Sequence, residues 1–429
     1  MATTSSDRIL SLDLIRGIAV MGIFSVNVVG MAMMERAYFY PPDYGFDGLG
    51  DRIMWAINSI FVDGRFRSLF SILFGASMTL VIERAVAAGR AGWKVHFPRM
   101  IVLLAFGVAH YYLLWWGDIL VNYAVVGMVA FLFWRLREKW LLLIALALLA
   151  FQQLPGFVET FERIAKLEAG QAPDATPKER AKAEEILEQP SQAEQQRAIA
   201  RDKAKHASVA AHLRGQLTGN AAWRPWQGLL GYGPETLMLM LIGMAAYKSG
   251  FLTGAWSRRR YAIVAAACLG IDLAVHAIGT YLTLRAEFAP EVYFPWIFTF
   301  PSPLHPVGAL GYAALFILLF SQGGALADRF AAVGRAAFTN YLGATVIGTL
   351  IFSGSFLGLY GELSRGEAWL IVPPVWAFML LWSKWWLDRF RYGPFEWAWR
   401  CLARWKWEPM SFETGSQPAA SNPPQDERG

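Results

Sequence analysis

Long apolar runs alternate along this chain with short polar, often basic, connections. A helix needs about 17–25 mostly apolar residues to cross a hydrocarbon layer ~30 Å thick. Ten runs approach or meet that requirement, at about 12–33, 66–83, 97–116, 118–134, 140–157, 227–247, 261–283, 306–321, 336–360 and 368–387. The pattern predicts an all-α, polytopic integral membrane protein. The first run follows Asp7 and Arg8, carries Asp13 and Arg16, and reaches Met33 and Met34 without a small-residue cleavage site, so it reads as a retained span and not as a signal peptide. Residues 51–62 (DRIMWAINSIFV) are too few to span and fit an interfacial or re-entrant helix. If they crossed, the count would be eleven and the N-terminus would move outside.

The same pattern divides the chain into membrane helices within 1–157, a polar helical loop at 158–225, membrane helices within 226–390, an amphipathic segment at 391–411 and a tail at 412–429. The loop is rich in Glu, Lys, Gln and Ala, with Pro173, Pro177 and Pro190 between helical runs. It reads as a solvated helical cap, with a lid over an outward-facing site as the alternative. The tail is rich in Pro, Ser, Gln and Asp and is predicted to be disordered.

Orientation follows from Lys and Arg in short loops, which resist translocation. Arg84, Arg90, Lys94 and Arg99 mark the loop between the second and third runs. Arg135, Arg137 and Lys139, then Lys248 with Arg258 to Arg260, then Arg329 and Arg335, mark every second loop after it. These loops are predicted to be cytoplasmic, together with both termini and the basic segment from Lys384 to Lys406. The long loop 158–225 then falls on the outer side. The 391–411 segment is expected to lie on the cytoplasmic membrane surface, and Trp115, Trp116, Trp385 and Trp386 to form an interfacial belt.

Composition narrows the function classes. Hydrophobic residues make up 55% and charged residues 17%, against ~25% charged in soluble domains, and mean hydropathy is +0.33. A soluble enzyme, a secreted miniprotein and a disordered chain are disfavoured. The net charge of +6 is modest, and nucleic acid is not an expected partner. Cys268 and Cys401 have neither the number nor the spacing for a disulfide framework or a zinc site. Phosphate-loop, dinucleotide, HExxH and CxxC patterns are all missing from the sequence, so no metal is expected.

Polar groups at bilayer depth cost several kcal/mol unless they are paired or face water, which makes each one a functional candidate. At about 100° and 1.5 Å per residue, Asp13, Arg16 and Asn27 share one face of the first helix. The third helix repeats the geometry with Arg99 below His110. Asp118 with Asn122, and Asp272 with His276, stand at i,i+4 on their helices and so share faces. Arg65 and Arg67 lie at the outer start of the second run, where the positive-inside rule would not put them, and an anionic partner is expected there. The alternative role for any of these groups is interhelical hydrogen bonding, which is the simpler reading for Asn122 and Asn340.

At these residues the sequence resembles the YeiB-like bacterial membrane proteins, placed in the transmembrane acyltransferase superfamily with heparan-alpha-glucosaminide N-acetyltransferase. RILSLDLIRGIAVMGIFSVN (Arg8 to Asn27) is similar to the superfamily's opening helix. GRFRSLFSILFGAS (Gly64 to Ser77), HYYLLWWGDILVNYAVVG (His110 to Gly127), GRAAFTNYL (Gly334 to Leu342) and FRYGPFEWAWR (Phe390 to Arg400) are YeiB-like. The resemblance covers nearly the whole membrane region. It implies a multi-helix fold in the bacterial inner membrane, in which cytoplasmic acyl-CoA acylates an acceptor on the far side. In the acetyltransferase a catalytic His follows shortly after the Asn that matches Asn27; here Val28 to Tyr44 (VVGMAMMERAYFYPPDY) contains none.

The expected function is therefore acyl transfer from acyl-CoA to a glycan, lipid or small-molecule acceptor at the outer face. The catalytic candidates are His110, with Asp118 orienting it as a general base, then His276 with Asp272, and Asn27. Asp13, Arg16, Arg65, Arg67, Arg99, Asn122 and Asn340 are the candidate substrate-binding residues, with Arg16 and Arg99 nearest the cytoplasmic donor. Membrane lipids are expected partners, and a homodimer is compatible with the sequence. The competing expectation is a transporter or lipid-handling protein that uses the same polar path for permeation or proton relay.

Overall fold

A computed structural model describes residues 9–188 and 191–412. The predicted disordered tail lies outside the described residues apart from Phe412, as do Asp7, Arg8 and Pro190. The described residues are helical, with no strand among them and one isolated bridge, Phe390 to Ser411. Seven helical stretches are long and apolar enough to cross a membrane, and the chain is an all-α polytopic membrane protein.

Helix α1 (Leu10–Ala32) is apolar nearly all round, and such a helix belongs inside a bundle. Ile15, Ala19 and Val28 on it are sealed from solvent. The short α2 (Glu35–Phe39) leads to α3 (Leu49–Phe61) and α4 (Arg65–Ala87). The last turns of α3 reach the middle depth of α1, where Asn58 Nδ2 donates to the Ser25 carbonyl at 3.1 Å. There the chain turns at Gly64, whose φ of +74° suits glycine. Helices α3 and α4 follow one another within a single apolar stretch, Leu49–Ala87. Arg65 starts α4 fully buried.

Helices α5 (Gly92–Leu113) and α6 (Leu120–Ala130) form a hairpin whose turn holds Gly117 and Asp118. Helix α7 (Glu138–Gln171), at 34 residues, is about 50 Å long and passes the membrane layer. The predicted boundary at 157 thus falls inside a continuous helix. Leu142, Leu143, Leu146, Phe151 and Leu154 are exposed on α7, as expected of a peripheral helix facing lipid. Beyond it, α8 (Pro177–Leu187), α9 (Gln192–His206) and α10 (Val209–Leu217) build the polar segment before α11 (Arg224–Lys248) returns to the bundle.

The second half comprises α12 (Arg258–Arg285), α13 (Pro290–Phe294), α14 (His305–Phe320), α15 (Ala325–Arg335), α16 (Ala337–Phe352), α17 (Arg365–Trp369), α18 (Val372–Leu387) and α19 (Pro394–Arg404). Hydropathy alone overruns several ends. The run at 336–360 is helical only to Phe352, and 118–134 holds an α-helix of 11 residues. Of the ten predicted spans, α5, α6 and α16 fall outside the seven long apolar stretches, because α5 carries Lys94 and Arg99 and the other two are short. Where hydrocarbon tails compete with apolar side chains, small residues let helices approach closely. Gly17 and Gly334 seat α1 on α15, each occupying space that a Cβ would share with the other helix's backbone. Gly75 and Gly243 do the same for α4 and α11.

The basic connections gather at one end of the bundle. Lys248 Nζ donates to the Trp134 and Leu136 carbonyls, Arg258 to Ser321, and Trp399 to the Arg99 carbonyl. The polar segment covers the opposite end. Tyr111 and Tyr112 donate to the Ala221 and Ala222 carbonyls, Arg224 pairs with Glu35 at 2.6 Å, and Lys203 pairs with Glu362 at 2.9 Å. Trp115 corrects the expected aromatic belt. It is buried and donates to the Gly30 carbonyl, whereas Trp385 remains exposed.

Candidate functional site

The α5–α6 hairpin brings His110 to Asp118. Glycine at 107 lets α5 sit against Leu120 and Val121, so the end of α5 lies beside the start of α6. His110 Nδ1 and Asp118 Oδ1 are 2.8 Å apart, with both side chains 1% exposed. The Val121 N–H donates to the other carboxylate oxygen at 2.8 Å. In the neutral imidazole, a carboxylate beside Nδ1 selects the tautomer with its proton there and leaves the Nε2 lone pair facing away from Asp118. At 3.0 Å from Nε2 lies Thr345 Oγ1, on α16. Tyr341, one helical turn before Thr345, sets its ring 5.3 Å from the imidazole.

Tyr341 also belongs to the wall of a cavity of about 350 Å³ at the basic end of the bundle, within the ~300–1,000 Å³ range of small-molecule sites. Arg16, Arg84, Arg99, Arg335, Arg391 and Arg400 are among its lining residues. Phe70, Phe74, Leu103, Leu120 and Tyr123 make the wall apolar around Tyr341. A cationic rim over an apolar interior suits an anion carrying an apolar arm. The Tyr341 hydroxyl is fully buried, beside the Ile119 backbone.

Several contacts hold this cavity in shape. Arg16 donates to Asp13 at 2.8 Å and to Ser77 at 2.6 Å, bracing α1 on α4. The Arg99 guanidinium lies 5.2 Å from the Trp399 ring centre, so its charge meets an aromatic face. Glu396 on α19 accepts from the Phe338 and Thr339 backbone N–H groups at 2.7 and 3.1 Å and from the Thr339 hydroxyl at 2.6 Å. A carboxylate there caps the α16 N-terminus and joins the FRYGPFEWAWR and GRAAFTNYL segments. Burial pushes the Glu396 carboxyl up, and the hydrogen bonds from Thr339 oppose that.

On the other side of His110, Thr345 lines a smaller cavity of about 40 Å³ with Met31, Thr349, His206 and His212. The two histidines come from the polar segment. His110 thus lies between a basic cavity at one end and a capped cavity at the other.

The remaining candidates sit elsewhere. Arg65 pairs with Asp272 at 2.7 Å. His276 Nδ1 lies 3.3 Å from the same carboxylate and 2.8 Å from the Asp272 carbonyl, and its ring stacks 5.5 Å from that of His305. Arg67 grips Glu235 through two nitrogens at 2.7 and 3.1 Å. The anionic partners expected for Arg65 and Arg67 are therefore carboxylates of this chain. Asn122 donates to Thr236 at 2.7 Å. Asn340 donates to Val333 and Ser383 and accepts from Trp382, tying α15, α16 and α18 together. Asn27 is half-buried, lines neither cavity and makes no side-chain hydrogen bond among the described residues.

Sequence reasoning missed Thr345, Tyr341, Glu396, Glu235 and His305. A threonine or tyrosine in an apolar helix has no signature of its own. Only the i,i+4 spacing of Tyr341 and Thr345 hints at a shared face.

The comparisons with known proteins agree over most of the chain. A family model described as a protein of unknown function, DUF418, matches residues 246–406. The chain is 30% identical to the uncharacterized protein YxaH of Bacillus subtilis, over 96% of this chain and 98% of that one. It is also 30% identical to the uncharacterized protein YeiB of Escherichia coli, over 92% and 96%. An uncharacterized 39.9 kDa protein from the amylase 3' region of Bacillus acidopullulyticus is 22% identical over 92% and 94%. No solved structure matches the chain. With such identity sustained over nearly the full length of both partners, the chain belongs to the YeiB-like family of DUF418 membrane proteins.

Proposed function

We propose that this protein is a membrane-bound acyltransferase, which takes an acyl group from a CoA thioester at its basic end and passes it to an acceptor that arrives from the capped end. One observation carries the reading: Tyr341, in the wall of the basic cavity, lies against the His110 ring of the His110–Asp118 pair. Arginine forks suit the phosphates of the donor, and the apolar interior suits its acyl arm. Asp118 keeps the His110 lone pair on Nε2, so that His110 acts as a general base toward an acceptor hydroxyl or amine. The positive-inside rule puts the basic end in the cytoplasm, where acyl-CoA is made. Both described ends of the chain, near Ile9 and Phe412, then face the cytoplasm of a bacterial inner membrane. Acceptor class is proposed at the level of a glycan, lipid or small molecule at the outer face.

Transport through the same polar path meets an obstacle at His110. Its side chain is 1% exposed and both ring nitrogens are engaged, which suits fixed chemistry better than permeation.

Calorimetric titration of the detergent-purified protein with acetyl-CoA and palmitoyl-CoA tests the reading, followed by an assay for thioester loss. Arg99→Ala should weaken binding about tenfold, equivalent to about 1.4 kcal/mol. His110→Ala should retain binding and lose ~10²- to 10⁴-fold in turnover. Absence of any heat at millimolar thioester would discard the reading in favour of transport.

A further inference from the structure

We infer that Thr345 is a nucleophile, the third member of a hydroxyl–imidazole–carboxylate relay with His110 and Asp118. The inference rests on the acyl-transfer reading above for its substrate, but its geometry is independent of that reading. Three hydrogen-bonding steps assign the roles. Asp118 accepts from the Val121 N–H at 2.8 Å and from His110 Nδ1 at 2.8 Å, which leaves Nε2 as an acceptor. Thr345 Oγ1 lies 3.0 Å from Nε2, so its O–H donates there. The competing backbone acceptor, the Tyr341 carbonyl one turn earlier, is 3.4 Å away and the weaker partner. A hydroxyl donating to an imidazole whose far nitrogen is held by a carboxylate is the arrangement that activates a nucleophile, whatever the fold.

The same geometry argues against direct attack by His110. Its Nδ1 is held by Asp118 and its Nε2 lone pair by the threonine proton, so the uncommitted nucleophilic lone pairs of the relay are on Thr345 Oγ1. Tyr341 stands one turn away on α16, in the wall of the basic cavity. Beside Thr345, the 40 Å³ cavity under His206 and His212 has room for water.

The chemistry balances in two halves. Thr345 Oγ1 attacks the thioester carbonyl carbon while its proton passes to His110 Nε2; the C–S bond breaks, and the thiolate takes that proton as it leaves. The acyl group is then an ester on Thr345. An acceptor hydroxyl, amine or water gives its proton to His110 Nε2 as it attacks the ester carbonyl. The C–O bond to Thr345 breaks, and the proton returns to Oγ1.

Two probes test this on the full-length purified protein. An alkyl fluorophosphonate, which needs an activated hydroxyl and no CoA site, should phosphonylate wild type and Thr345→Ser within about tenfold of each other. Labelling should fall at least 100-fold in Thr345→Val and His110→Gln, with the modified peptide mapping to Thr345. Acetyl-CoA should in turn leave an acetyl ester on Thr345, detected by mass spectrometry after acid quench, and Thr345→Val should keep acetyl-CoA binding while losing turnover. The inference is overturned if wild type takes neither label, if the acyl group maps to His110, or if Thr345→Val turns over at the wild-type rate. That last result would leave the acyl-transfer reading standing. Conversely, fluorophosphonate labelling of Thr345 without any acetyl-CoA binding would support the relay and remove the CoA donor.

Discussion

Arg65 and Asp272 stand 207 residues apart in the chain and meet at 2.7 Å with neither side chain exposed to solvent. Arg65 also donates to the Ser59 and Asp63 carbonyls at 3.0 and 2.8 Å. It thereby ties the end of α3, the start of α4 and the middle of α12 together at a single point. Removing one member of a buried ion pair leaves an uncompensated charge and typically costs ~3–5 kcal/mol. Arg65→Ala and Asp272→Ala should each lower the thermal midpoint in detergent markedly. The double change Arg65→Met with Asp272→Leu should recover much of the loss. Single variants that melt like wild type would refute this account.

Packing of α1 against α15 makes a second prediction. Gly17 and Gly334 face each other so closely that a Cβ on either would overlap the opposite backbone, the Phe330 carbonyl in one case and the Asp13 carbonyl in the other. Backbone on both sides cannot give way as a flexible side chain can. Gly334→Leu should therefore separate the helices, disturb Arg16 and Arg335 at the basic cavity, and cost stability on the scale of overpacking, ~1–3 kcal/mol or more. Gly343, whose added Cβ meets nothing within 4 Å, is the control: Gly343→Ala should be silent in the same unfolding assay.

The cap should loosen in mild acid. His206 stacks on Tyr360 with ring centres 3.7 Å apart, and His212 lies 5.7 Å from His206. Burial pushes both imidazoles down, His212 to about 4. Asp202, whose carboxylate accepts from the Tyr360 hydroxyl, partly offsets this at His206, and Lys205 adds to it. A detached cap would titrate near ~6.5. Groups whose pKa is lowered on docking stabilise the docked form above that value, and the stabilisation is lost as pH falls from about 6.5 toward 4. Protease cleavage within 158–225 should be faster at pH 5 than at pH 7.5, and His212→Phe should flatten the difference. Equal cleavage at the two pH values in wild type would contradict this.

Topology can be decided directly. The basic connections converge at one end and the polar segment at the other, and the positive-inside rule assigns the basic end to the cytoplasm. With Cys268 and Cys401 replaced by Ala, cysteines placed at Arg90 and Lys178, both exposed, should react differently with an impermeant maleimide applied to intact cells. Residue 178 should label and residue 90 should not; the reverse pattern would invert the protein in the membrane.

How much of this was legible in the sequence depends on the range of each interaction. Apolar runs marked the helices because crossing hydrocarbon is a property of consecutive residues, and each of the ten predicted spans contains a helix. The i,i+4 spacing of Asp272 and His276 likewise placed them on one face, because helix periodicity is local. The pairing of His110 with Asp118 lay within reach of the sequence, since only a turn at Gly117 separates their helices. What the tertiary structure alone decided was every partner drawn from a distant helix. Thr345 meets His110 across 235 residues, Glu396 caps α16 from α19, and Asp272 and Glu235 supply the anions for Arg65 and Arg67. A buried charge requires a counter-charge, so the sequence could demand that one exist. Which one answers is set by the angles and depths at which the helices cross, and those depend on where small residues such as Gly17, Gly75, Gly243 and Gly334 let backbones meet.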